Sequence, residues 1–201
     1  IGLSKAPIIA SHSSARALCD HSRNLDDEQL FWMKENGGVI QTVAFSSYLN
    51  TEKHNARNEY MQAIRKRLAR ERGLEWYDRS EFRNLDANTI AEFIGYYREI
   101  VAEADELVAN DLNAPTGVTV ADFVDHIDYM VNLIGIDHVG ISSDFDGGGG
   151  IGGWQDASET YNVTLELVKR GYSEEDIQKL WGENLLRVLD EVQAVSAQWE
   201  S

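Results

Sequence analysis

Short apolar runs that end in polar residues occur three times in the chain, and they predict the buried strands of a parallel sheet. They cover residues 7–12, 39–45 and 138–144, and each contains isoleucine or valine. Between the first two runs, the segment from about Asp26 to Asn36 predicts a helix, because Gly37 and Gly38 follow it and suit a left-handed cap. Together these elements predict a compact β-α-β unit.

The stretch from about Asn50 to Leu112 has a different pattern, with charged clusters and apolar residues near helical spacing. It predicts two long helices inserted between the second and third strands. Beyond it, the spacing of Thr119 and Asp122 is typical of a capping box at a helix start. A glycine-rich loop, residues 147–153, follows the third strand.

Two further helices are predicted after the glycine-rich loop. Ser173 and Asp176 have the spacing of a capping box and mark the start of the second helix, which runs towards Trp199. No internal repeat, low-complexity tract or linker interrupts the chain.

The predicted fold class is α/β: the C-terminal portion of a (β/α)8 TIM-type barrel, with about three strands and a long helical insertion. A complete barrel needs eight strands and about 250 residues, whereas the chain has 201. An open three-stranded parallel sheet would leave two unpaired edges, which native proteins avoid. We therefore expect residues 1–201 to be the closing part of one barrel domain, with residues 50–112 as its insertion. A small self-contained three-layer α/β domain is the alternative.

The charge balance makes some partners improbable. Eighteen basic residues against 34 acidic ones give a formal charge of −16, which repels nucleic acid and anionic membrane surfaces. No run approaches the roughly 18 consecutive apolar residues of a membrane-spanning helix. The single cysteine, Cys19, excludes an intrachain disulfide and a thiolate zinc cluster.

The candidates for chemistry are polar residues at the carboxyl ends of the predicted strands, where barrels of this kind place their active sites. His12 follows the first strand, and its imidazole suits zinc, although a hydrogen-bonded structural histidine is an equal interpretation. Asp144 ends the third strand and could ligate a metal, accept a proton or orient a water.

Arg23 lies eleven residues after His12 and could hold a substrate carboxylate through two parallel hydrogen bonds. A surface arginine near a helix start is the simpler interpretation. The remaining histidines are weaker candidates. We expect His54 to be solvated, His126 to lie on a helix face, and His138 to lie at a strand start, away from the chemistry.

The loop after Asp144 partly matches two other motifs. Its first residues are similar to the start of a calcium loop, but the oxygen ligands run out at Gly148 and Gln155. Residues 148–153 formally match the dinucleotide-binding pattern of glycines, yet a glycine tract does so by composition alone. Neither alternative explains the loop well.

Two blocks of sequence together resemble the membrane (renal-type) dipeptidase family of zinc metallopeptidases, which have amidohydrolase-type barrels. The first spans residues 6–15 and continues to 23–27, and the second spans residues 135–147. A third piece, residues 183–188, is similar to the closing helix of the family. The order and relative spacing of these motifs agree, whereas residues 50–112 are longer than in the smaller members.

The resemblance implies two zinc ions at the barrel mouth, bridged by a glutamate, and a metal-bridging hydroxide that attacks the peptide bond. It implies that His12 is a zinc ligand and that Arg23 receives the free carboxylate of a dipeptide. Asp144 would bind the substrate on its amine side and transfer the proton. Tyr48 lies near an active-site tyrosine position, but its local motif is loose. The other ligands would belong to residues preceding Ile1.

The function expected from the resemblance is zinc-dependent hydrolysis of dipeptides. The N-terminal portion of the same barrel would be the necessary partner, and a homodimer is left open. The alternatives are another amidohydrolase-type metal hydrolase, acting on a lactone or cyclic amide, and a non-catalytic partial barrel that serves as an interaction module. An exported or cell-envelope location is compatible with the resemblance, and a cytoplasmic one is left open.

Overall fold

The computed structural model describes residues 3–199, which contain one three-stranded parallel sheet. The strands are β1 (Ile9–Ser13), β2 (Val39–Val43) and β3 (Val139–Ser142), and they lie in the order β1-β2-β3. Strand β2 is buried along its whole length, as a central strand covered on both faces should be. The three predicted strands and the parallel α/β class are thus confirmed, although β1 begins two residues later than its apolar run.

Helices account for most of the described chain. In chain order they are α1 (Asp27–Glu35), α2 (Ser46–Leu49), α3 (Thr51–Glu71), α4 (Arg79–Phe82), α5 (Ala87–Ala109), α6 (Val120–Ile134), α7 (Tyr161–Lys169), α8 (Glu174–Gln178) and α9 (Asn184–Trp199). The two long helices predicted in the insertion are α3 and α5.

Helix α1 begins and ends where its sequence predicts. Asp26 accepts a hydrogen bond from the backbone N–H of Gln29, and the Gln29 side chain accepts one from the Asp26 N–H, which completes a capping box. Gly37 ends the helix with φ of +75°, a conformation that disfavours side chains with a Cβ. A Cβ on Gly38 would lie 2.5 Å from the Ile8 carbonyl oxygen, so this pair of glycines lets β2 run close beside the chain before β1.

The C-terminal helix differs from the prediction in one respect. A π-helical turn, Lys179–Glu183, interrupts the segment that begins at the Ser173 capping box. Directly after this turn, the buried Asn184 donates hydrogen bonds to the carbonyl oxygens of Ile136 (2.7 Å) and Val139 (2.8 Å). The Asn184 side-chain amide therefore holds the helical segment against the start of β3. No local sequence pattern predicts this contact.

The chain folds as two compact units, residues 1–54 with 117–201 and residues 55–116. In the first unit, α6 packs its apolar face against the sheet and buries Phe123, Ile127 and Met130 completely. Each such side chain contributes roughly 2 kcal/mol when it leaves water. The second unit has its own core around Trp76 and Phe93. Within residues 3–199, no helix is both long and apolar enough to cross a membrane.

Candidate active site

A β-bulge in β1 determines where His12 points. Ala10 pairs with Ile40 and Ser13 pairs with Thr42, so two residues of β1, Ser11 and His12, oppose the single residue between Ile40 and Thr42 on β2. Ile40 belongs to the core formed with the helices, and Ala10 packs against that core. Strict alternation would therefore direct His12 towards the helices. Because Ser13 instead pairs with Thr42, two residues beyond Ile40, the register assigns His12 to the face of the sheet opposite to Ala10.

The hydrogen bonds of His12 define its tautomer. Arg23 Nη2 lies 2.7 Å from His12 Nε2, and a guanidinium can only donate, so Nε2 accepts. The proton of the neutral ring is then on Nδ1, which donates to Ser11 Oγ at 2.7 Å. The Nε2 lone pair therefore faces Arg23, and zinc, which histidine binds through such a lone pair, could occupy it only in place of this hydrogen bond. The structure thus brings two of the predicted site residues, His12 and Arg23, into direct contact.

The segment that carries Arg23 is held by its neighbour Asn24, whose side chain is buried. The Asn24 Oδ1 accepts the Ser14 N–H at 3.1 Å, and its Nδ2 donates to the carbonyl oxygens of Cys19 (2.9 Å) and Tyr48 (2.7 Å). One amide therefore joins the end of β1, the turn before α1 and the end of α2. Asn24 was not among the predicted site residues, because nothing in its spacing distinguishes it from a loop asparagine.

Aromatic rings form a wall beside Arg23. The rings of Tyr48 and His21 stack with centroids 4.2 Å apart, and Phe45 lies 4.7 Å from Tyr48. The guanidinium carbon of Arg23 is 6.0 Å from the Tyr48 ring centroid. The tyrosine that the loose motif left unassigned therefore lies beside the proposed carboxylate-binding residue.

Asp144 follows β3 in a left-handed conformation, with φ of +53°, and is half-buried. Its carbonyl oxygen accepts the N–H groups of Gly147 (3.0 Å) and Gly149 (2.7 Å), so the loop turns tightly around it. A Cβ on Gly147 would lie 2.3 Å from Asp144 Oδ1, so only glycine leaves room for the carboxylate there. The loop is also tied to the end of β2, because Gly150 N–H donates to the Ala44 carbonyl at 3.0 Å.

His12 and Asp144 lie at the same end of the parallel sheet. Both lie at the carboxyl ends of their strands, with the single strand β2 between them. Strands are spaced about 4.8 Å apart, so the two strand ends are separated by roughly 10 Å.

His126 lies on a face of α6, as expected, but it is also buried. Its Nδ1 accepts the Ala15 N–H at 3.1 Å, and its Nε2 donates to the Leu49 carbonyl at 2.9 Å. Burial lowers the pKa of His126 below its usual 6.5, against the opposing effects of the Leu49 hydrogen bond and of Asp125 and Asp122. Its position on the apolar face of α6 was the signal in the sequence that it is structural.

Of the other two histidines, His54 differs from its prediction and His138 agrees with it. His54 is not simply solvated: it is half-buried, its Nδ1 lies 2.8 Å from Ser46 Oγ, and burial lowers its pKa below 6.5. His138 contacts the Gly38 carbonyl oxygen through Nδ1 at 2.9 Å, at the amino end of the sheet and away from His12.

The described part of the chain supplies an incomplete set of metal ligands. Within residues 3–199, no group of three or more histidine, cysteine, aspartate or glutamate side chains is placed to hold a metal ion. His12 fits the role of one zinc ligand through its Nε2 lone pair. A catalytic zinc takes about three protein ligands, so the others would come from elsewhere in the natural protein.

Comparison with protein families gives a match over the whole chain. Residues 1–201 match the model of the family described as membrane dipeptidase, Peptidase family M19. Dipeptidase aclJ of Aspergillus oryzae is 30% identical over 195 residues, which are 96% of this chain and 32% of that protein. Dipeptidase ataJ of Aspergillus terreus is 31% identical over 98% of this chain and 33% of its own length. The chain thus spans about a third of the curated relatives that it matches.

Solved structures agree with the fold prediction. The probable dipeptidase PvdM from Pseudomonas aeruginosa superposes with a TM-score of 0.65 and 41% identity, over 96% of this chain and 46% of that one. A Rhodobacter sphaeroides metallopeptidase, liganded with a phosphinate mimic of the dipeptide L-Ala-D-Ala, gives a TM-score of 0.59 at 22% identity, over 94% of this chain and 37% of that one. The chain therefore has the α/β fold of part of a TIM-type barrel.

Proposed function

The chain belongs to the membrane dipeptidase family, Peptidase family M19, and from this premise we propose that the natural protein is a zinc-dependent dipeptidase. The chain spans about a third of its curated relatives, so the proposal concerns a longer protein to which these residues contribute one side of the site. One observation supports it most: the Arg23 guanidinium lies 2.7 Å from the His12 imidazole near the carboxyl end of β1.

The contact between His12 and Arg23 supports a defined substrate length. In the proposal, Arg23 holds the C-terminal carboxylate through two parallel hydrogen bonds, and His12 would be a zinc ligand. Arg23 lies within hydrogen-bond distance of His12 in the structure, so a carboxylate held by Arg23 would lie close to a peptide bond beside His12. Consecutive Cα atoms are about 3.8 Å apart, so the bond nearest to the C-terminus is the one within reach. This favours dipeptides over long peptides.

Asp144 has the proton-transfer role in this proposal. Zinc, when bound, would lower the pKa of a water molecule and polarise the peptide carbonyl. Asp144 accepts the proton of that water as its oxygen bonds to the carbonyl carbon, and then donates the proton to the amine nitrogen as the C–N bond breaks. The hydrogen bonds that the Asp144 backbone carbonyl accepts from Gly147 and Gly149 hold the residue in its tight turn.

The substitution Asp144→Asn tests the proposal in the natural, zinc-loaded protein. Asparagine has the same shape and tolerates the left-handed backbone at this position, but it cannot accept the proton. We expect dipeptide hydrolysis to fall by about 10²- to 10⁴-fold in kcat, with zinc content little changed. The matched control is Asp146→Asn, since Asp146 is an exposed carboxylate two residues away in the same loop. Near-normal turnover in Asp144→Asn would refute the role of Asp144.

A further inference from the structure

The unit formed by residues 55–116 contains a surface cavity of its own, of about 360 Å³. Its floor is formed by Trp76 and Phe93, which are 8% and 5% exposed, whereas Tyr97 and Ile94 at the rim are 40% and 59% exposed. Ligand cavities in proteins begin at about this size and have mostly apolar and aromatic walls. The cavity therefore has the size and the lining of a small-molecule site.

The aromatic rings around the cavity are arranged about Phe93. Trp76, Tyr77 and Phe82 approach Phe93 with centroid distances of 5.3, 5.6 and 5.8 Å. Trp76 and Tyr97 stand nearly parallel, at 14° and 5.5 Å. Such surfaces take a further flat ring by offset stacking or edge-to-face contact. An unbranched aliphatic ligand would be buried in the cavity, but it could not make these ring-to-ring contacts.

Arg65 supplies the polar end of the cavity. Its guanidinium lies 5.9 Å from the Trp76 ring centroid, and its Nη2 is 3.3 Å from Asp105 Oδ1. The Arg65 side chain is 17% exposed, so the guanidinium keeps some access to solvent beside Asp105. A charged donor of this kind forms strong hydrogen bonds with a carboxylate or carbonyl oxygen.

Two other polar groups at the cavity are already engaged. Asp78, the acidic residue of the lining, is paired with Lys66 at 2.8 Å. Gln62 Oε1 accepts the indole N–H of Trp76 at 2.9 Å. Arg65 is the cationic residue of the lining, so it is the group to which a ligand carboxylate would be drawn.

We infer that the helical unit 55–116 carries a second binding site, in which the aromatic walls hold a flat ring and Arg65 donates to a carboxylate or carbonyl oxygen of the same molecule. The ligand class is an aromatic ring compound with an acceptor oxygen, either a free aromatic acid or an aromatic residue of a peptide. This inference does not depend on the dipeptidase proposal, since the groups that carry it are all in the unit 55–116.

The test is titration calorimetry of the natural protein with three small probes. 3-Phenylpropionate represents the free acid, and N-acetyl-phenylalaninamide represents the peptide. 2-Phenylethylammonium has the ring without an acceptor oxygen. We expect at least one of the first two probes to bind, and the one that binds more tightly identifies the source of the ligand. The ammonium compound should bind at least about tenfold more weakly.

Variants then assign the binding to this cavity. Arg65→Met keeps the apolar stem and removes the donor, and should weaken the better probe about tenfold. Tyr97→Ala removes a rim ring and should also weaken binding, which keeps the test decisive if Arg65→Met fails to fold. Tyr161→Ala, an equally large loss from an exposed tyrosine of α7, and Arg23→Ala at the proposed catalytic edge should leave binding unchanged. The inference is overturned if neither oxygen-bearing probe binds, or if Arg23→Ala abolishes binding that Arg65→Met and Tyr97→Ala leave intact.

Discussion

At the scale of single residues, the role proposed for Arg23 depends on the planar shape of its guanidinium as well as on its charge. Its guanidinium already donates to His12 Nε2 at 2.7 Å and lies against the Tyr48 ring. A planar fork can keep one donor towards the site while it holds a carboxylate with two others, whereas an ammonium is a point charge without that geometry. We expect Arg23→Lys in the natural protein to reduce kcat/KM for dipeptides roughly 5- to 160-fold, equivalent to about 1–3 kcal/mol of transition-state stabilisation.

A substrate control separates carboxylate binding from general damage to the site. The same dipeptides with an amidated C-terminus offer Arg23 no carboxylate, so wild type and Arg23→Lys should hydrolyse them at similar, low rates. If the substitution reduces the hydrolysis of acid and amide equally, Arg23 acts through structure. If it reduces neither, the carboxylate is held elsewhere.

At the scale of elements, α6 is joined to both β1 and α2 through one buried imidazole. His126 has a lowered pKa in the folded protein, so it stays neutral at pH values where the unfolded chain becomes protonated. Its contribution to stability is complete above pH 6.5 and is lost as the pH falls from there towards the folded pKa. We expect the free energy of unfolding of the natural protein to decrease over this window, by up to about 1.4 kcal/mol per pH unit for this one proton.

The variant His126→Gln isolates this contribution. Glutamine can still accept from Ala15 and donate to Leu49, but it does not titrate. Denaturant unfolding at pH values of about 7.5 and 5.5, on either side of the ordinary histidine pKa, should show a smaller pH dependence in His126→Gln than in wild type. The comparison variant is His21→Gln, at a half-buried ring stacked on Tyr48, and it should keep the wild-type slope. Identical slopes in wild type and His126→Gln would show that another group controls the acid sensitivity.

Elements whose signals are local were predictable from the sequence. The apolar runs of β2 and β3, the capping boxes at Thr119 and Ser173, and the glycine stop at Gly37 all act within a few residues. The bulge at His12 and the π turn before Asn184 were not, because they depend on pairing with distant segments. Asn24 was missed for the same reason, since its three partners lie at positions 14, 19 and 48.

At the scale of the whole molecule, the two outer strands of the sheet are open to further pairing. In the part of the chain that the structure describes, β1 and β3 each have only one neighbouring strand. Ile9 on β1 is exposed, and so are Leu186 and Leu189 on α9. Open strand edges beside exposed apolar side chains favour association between molecules. In the longer relatives, additional chain is present that could cover such surfaces.

The open edges and the single proposed zinc ligand, His12, together predict how residues 1–201 behave when they are expressed by themselves. No group of three candidate ligands occurs in the described chain, which is too few for a catalytic metal site, so we expect no dipeptide hydrolysis above background at any zinc concentration. The unpaired edges should make the product oligomeric or aggregated in size-exclusion chromatography with light scattering, whereas the natural protein assayed in parallel should be homogeneous and active. A soluble, monomeric and active 201-residue product would show that the chain builds a complete site without the additional chain of its relatives.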